Sequence, residues 1–107
     1  MSMFTDFLHR NPEATMYFNK IDLGNGYFMS VQASEFHYST PRRLLASVEG
    51  YDAFEVGICN VNGLIQDPQE IKNLGLFEIV DEEEFEGVFP YISRDLVQKM
   101  FCHMKTL

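Results

Sequence analysis

Two Asn-Gly pairs, Asn25-Gly26 and Asn62-Gly63, each stand beside a run of alternating apolar residues. Asn-Gly tolerates the positive φ angles of tight type I′ turns, so each pair marks a β-hairpin. After the first pair, Tyr27, Met29, Val31 and Ala33 fall on one side of an extended chain, with Ser30 and Gln32 on the other. Residues 15–21, rich in strand formers, lie on the other arm, and together they predict a hairpin over residues 15–33. Phe54, Val56 and Ile58 alternate with Glu55, Gly57 and Cys59 and predict a third strand. Leu64-Ile65 would open a short fourth after the second turn, and residues 76–80 are a fifth candidate.

Helix signals fall between and around these strands. Met3, Phe4, Phe7 and Leu8 form the stripe of a short helix, ended by Asn11-Pro12 because the residue before proline is driven from the α region. Asp67 reads as an N-cap, Pro68 as the first helical residue, Glu70 as the third and Gly75 as the stop. Asp81 could cap another short helix over residues 82–86, closed by Gly87. The clearest helix begins after Ser93, with Ile92 and Val97 placed for a hydrophobic staple. Leu96, Val97, Met100, Phe101 and Met104 share its apolar stripe, with Lys99 and Lys105 off it. Residues 34–52 read as a loop around a short apolar run, 44–48, that periodicity does not classify. The order predicts one α+β domain over residues 1–107, a small antiparallel sheet of four to five strands with a C-terminal amphipathic helix and short helices packed on one face.

Ten Phe and five Tyr in 107 residues, within a hydrophobic share of 46%, supply material for a core. A chain of this size buries roughly 60–70% of its unfolded surface. With two cysteines, Cys59 and Cys102, it lacks the density of a disulfide-built secreted domain. The first residues carry no basic and apolar leader pattern, and no stretch reaches the roughly 18 apolar residues of a membrane span, so a cytoplasmic protein with reduced thiols is expected. The net charge of −8 is unevenly spread: residues 44–93 hold eleven acids against Lys72 alone. Such a field repels nucleic acid and anionic membranes and attracts basic proteins.

The segments Asn25-Gly26-Tyr27, Ser30-Val31, Phe54-Glu55-Val56-Gly57-Ile58 and Tyr91-Ile92-Ser93 together form a pattern. The chain resembles, in patches across residues 22–107, a loose group of short uncharacterised proteins encoded by phages and prophages. Those run as an Asn-Gly-Tyr strand, a Ser-Val pair, an alternating strand and a Tyr-Leu-Thr lead into a last helix. Residues 34–52 and Gly87-Val88-Phe89-Pro90 depart from it. The resemblance implies a phage or mobile-element setting, which for a bacterial host means its cytoplasm, and no activity.

The chemistry-bearing residues form no convergent set. Zinc wants ligand pairs that one turn can present, whereas adjacent Cys102 and His103 point about 100° apart on a helix. No Gly-x-Ser-x-Gly elbow is present, and Gly24-x-Gly26 opens a strand where a dinucleotide loop must open a helix. Arg42-Arg43 is the one basic pair, read as solvated. The acidic run Asp81, Glu82, Glu83, Glu84 and Glu86 is the strongest feature. It lacks the spacing and glycine of a calcium loop. It suits a helix start, where the dipole favours acids, or a face that meets a basic protein. The expectation is therefore a non-catalytic protein without cofactor or metal that binds another protein through its acidic 44–93 surface. In a phage setting that would be an inhibitor of a host or defence protein, with carboxylates imitating DNA phosphates. The alternative is a structural homo-oligomer joined through Met100, Phe101 and Met104.

Overall fold

The alternating runs become the middle of one antiparallel sheet. In the computed structural model, which describes residues 3–107, β2 (Phe28–Gln32) pairs with β3 (Ala53–Asn60), Met29 opposite Ile58 and Val31 opposite Val56. These four side chains and Phe54 are almost wholly buried, because period-two alternation delivers them all to one face. A short β1 (Ile21–Asp22) lies outside β2. On the other side of β3, β4 (Gly63–Leu64) pairs with its end and β5 (Phe89–Ser93) with its beginning. The protein is α+β, with five strands among the described residues.

Helix α1 (Pro68–Asn73) starts as the sequence predicts, the Asp67 carboxylate accepting the Gln69 N–H at 3.0 Å. It stops at Gly75, whose φ of 84° is the left-handed value glycine holds without strain. Helix α2 (Arg94–Met104) is capped by Ser93. Its residues Val97, Met100, Phe101 and Met104 join the sheet residues, Ile71 of α1 and Leu76 in a single core. Asn25, at the tip of the first hairpin, donates its side-chain amide to the carbonyls of Met104 and Leu107 and so closes the end of α2.

Several sequence expectations are corrected. Of residues 15–21 only Ile21 belongs to the strand arm β1. The Asn11 side chain accepts the N–H groups of Glu13 and Ala14, and the Tyr17 N–H donates to the Ala14 carbonyl, so residues 11–17 fold into successive turns. Phe18 forms an isolated antiparallel bridge with Arg10, and its own polar groups bond a side chain: its N–H donates to Gln32 Oε1 at 2.7 Å, and Gln32 Nε2 donates back to the Phe18 carbonyl at 2.9 Å. The hairpin closes through a three-residue loop with Gly24 and Gly26 both at positive φ, so it is not the two-residue type I′ turn. The 3–8 stripe is a 3-10 turn, Phe4–Phe7, tied to α2 by the Phe4 N–H on Gln98 Oε1.

Residues 76–80 are a 3-10 turn, Leu76–Glu78, followed by irregular chain, and the fifth strand is β5. Leu76 and Val80, both buried, are four apart, a helical spacing. The acidic run also makes only a 3-10 turn, Glu82–Glu84, with Asp81 accepting the Glu83 N–H. Met100, Phe101 and Met104 are at most 1% exposed. They belong to this chain's own core, so the surface through which copies would join cannot be built from them. No helix of the described residues is long and apolar enough to cross a membrane.

Candidate functional site

The acidic turn is placed by what surrounds it. Gly75 ends α1, the chain winds through Leu76–Glu78, and Val80 is buried as an anchor just before Asp81. Phe85, half-buried, packs at a tilt against Phe89 with ring centroids 4.9 Å apart, and Phe77 meets both. This aromatic trio fixes the turn from beneath, and the side chains of Asp81, Glu82, Glu83, Glu84 and Glu86 all stay exposed. Among the described residues the one ion pair joins Arg94 to Glu49 at 3.8 Å. The five carboxylates are therefore not neutralised within the chain.

Their neighbours come from β5 and α2. Asp81 and Glu84 stand on the rim of a groove of about 390 Å³ whose walls include Ile79, Pro90, Tyr91 and Leu96. Glu86 stands on a second groove, of about 360 Å³, with Tyr38, and the two grooves share Pro90 and Tyr91. Glu82 and Glu83 line neither. Tyr91 is 51% exposed, and its ring lies 5.7 Å from that of Tyr38. Sequence reading found the acids and missed Tyr38, Tyr91 and Leu96. Tyr38 lies in irregular chain and Tyr91 inside a β-bulge, so neither follows a period.

The bulge explains Tyr91. Phe54 pairs with Ile92 and Val56 with Phe89, so β5 spends one more residue than β3 over this interval. Pro90, which has no N–H to give the ladder, sits there. Tyr91 takes the left-handed value φ 53°, and it is the one non-glycine residue at positive φ among those described. Its N–H leaves the ladder for the Tyr38 carbonyl at 3.0 Å.

The other acids of residues 44–93 have dispersed duties. Glu55 accepts the Tyr38 N–H at 3.0 Å, Asp67 caps α1, and Glu70 lines a small cleft with Tyr27 and Asn73. The described residues hold no group of three or more His, Cys, Asp or Glu side chains able to share a metal. Cys59 is buried, which pushes its thiol up from the ordinary value, with Lys20 pulling weakly the other way. The closest Ser–His pair, Ser34 Oγ and His37 Nδ1 at 2.6 Å, is enclosed, Ser34 having no exposed surface. A nucleophile there would have no substrate access. No protein-family model, curated protein or solved structure matches the chain.

Proposed function

We propose that this chain is a small acidic protein-binding protein that engages a basic surface on another protein through Asp81, Glu82, Glu83, Glu84 and Glu86. The observation that carries this reading is five exposed carboxylates in six residues, held on a turn anchored by Val80 and Phe85 and left without an internal cation. Like charges crowded this way repel one another, and a cationic partner relieves that repulsion. In the phage setting that the resemblance implies, the protein would inhibit a host or defence protein, its carboxylates lying where DNA phosphates otherwise lie.

The test is capture from bacterial lysate at low and high salt, with Glu82, Glu83 and Glu84 reversed to Lys in parallel. A partner retained at low salt, released as salt rises and lost with the triple reversal is the expected result. A stoichiometric partner that ignores both changes overturns the reading.

A further inference from the structure

The acidic turn borders two grooves that meet at one exposed ring, and this gives the partner a chemistry. The first groove has aliphatic walls, Ile79 and Leu96, beneath the carboxylates of Asp81 and Glu84. The second offers two tyrosine rings beside Glu86. The ridge between them is Tyr91, half exposed, on a backbone value that glycine would hold without strain. The bulge and the Tyr38 hydrogen bond set this backbone, and they leave the ring half exposed beside Tyr38, open to a ligand. The same surface already holds a guanidinium: Arg42 Cζ lies 4.9 Å from the centre of the Tyr38 ring. These tyrosines therefore present faces that arginine can stack on, and three uncompensated carboxylates border them.

We propose that the Tyr91 ridge and its two grooves receive an extended segment of the partner protein in which arginine alternates with a bulky aliphatic residue. The aliphatic side chain enters the groove walled by Ile79 and Leu96. The guanidinium lies on the Tyr91 ring and faces Glu86. Charge complementarity selects the basic segment, and the apolar walls select against a ligand that is merely cationic. This inference rests on the acidic binding face proposed above and adds the shape and sequence that the face would read.

The experiment titrates the isotope-labelled protein with three capped peptides at low salt, followed by backbone amide NMR. They are Leu-Arg-Leu-Arg-Leu, Leu-Glu-Leu-Glu-Leu and Gly-Arg-Gly-Arg-Gly. Saturable shifts with the first peptide alone, concentrated in residues 79–96, are expected. Tyr91→Gly keeps the backbone value and removes the ring, so it should hold the fold and weaken that peptide by about tenfold or more, the loss of one well-placed stacking contact. Equal response to the glycine–arginine peptide would reduce the site to diffuse attraction and overturn the proposal. So would no saturable shift with the leucine–arginine peptide, or undiminished binding by Tyr91→Gly. A lysate partner lost on reversal of Glu82, Glu83 and Glu84 but kept by Tyr91→Gly would leave the acidic face standing and remove the groove.

Discussion

The hydroxyl of Tyr51, a residue with no exposed surface, donates to the carbonyl of Arg43 at 2.7 Å. The same oxygen accepts the Leu45 N–H at 2.8 Å and an Arg10 guanidinium N–H at 3.1 Å. One buried atom thus holds the irregular stretch around residues 43–45 to the body of the protein, and its hydrogen-bonding capacity is full. Arg94 adds to the knot by donating to the carbonyls of Tyr51 and Val48.

Tyr51→Phe should therefore cost more than a single surface hydrogen bond. The Leu45 N–H and the Arg43 carbonyl would be left without their partner, a loss of about 1–3 kcal/mol. In a domain near this size each kcal/mol lowers Tm by about 4–8 °C. Thermal unfolding followed by circular dichroism measures it. Limited proteolysis should place the first new cut between residues 42 and 47. An unchanged Tm with an unchanged digestion pattern would refute the tethering role.

How much of this was legible in the sequence depended on whether burial followed a simple period. Met29, Val31, Phe54, Val56 and Ile58 face one core with period two, so β2 and β3 could be read directly. Ser93, Asp67 and Pro68 gave the helix starts because capping is local. β5 was hidden by its bulge. Phe89 and Ile92 both face the core, yet stand three apart, and Gly87 and Pro90 beside them read as punctuation. The Tyr51 knot joins residues 10, 43, 45 and 51 through contacts of one side chain with irregular backbone and with a distant arginine, for which no spacing rule exists. The candidate site divides the same way. Its carboxylates are contiguous and plain to see, whereas Tyr38, Tyr91 and Leu96 reach it from three separate segments.

Gly75 and His103 give a second prediction. The glycine lies at φ 84°, and a Cβ there would sit 3.0 Å from His103 Nε2, which is 2.6 Å from the Leu74 carbonyl. Gly75→Ala meets both an unfavourable backbone and a crowded ring whose hydrogen bond closes the end of α1. A loss of about 1–2 kcal/mol is expected by urea denaturation. Gly24→Ala, also at positive φ but with nothing within 4 Å of the new Cβ, should lose less. Equal losses would show that the His103 contact carries no weight.

His37 makes the stability depend on pH. Burial depresses the imidazole below its ordinary value; Glu55 opposes this, and Arg10 and Arg42 reinforce it. The fold thus favours the neutral ring, consistent with Ser34 Oγ taking the Phe36 N–H and offering its own proton to His37 Nδ1. The unfolded chain takes up a proton near pH 6.5, about where a free histidine titrates. The contribution is therefore complete above roughly pH 6.5 and is lost progressively as pH falls through the depressed folded value. Urea midpoints measured between about pH 7.5 and 5 should fall on the acid side, and His37→Gln should flatten that part of the curve. A midpoint that rises on acidification, or a slope that survives the substitution, would rule His37 out as its source.

Met100 separates a core role from an assembly role. It is fully buried in the cluster that α2 forms with the sheet. Met100→Ala opens a cavity there and should cost about 2–5 kcal/mol. The mass in solution, measured by sedimentation at a temperature where the variant is still folded, should stay that of the parent protein. The same holds for Met104→Ala, because both side chains spend their apolar surface inside the chain and leave none for a second copy. A variant that kept its Tm but changed its state of association would place these residues at an interface and contradict the packing described above.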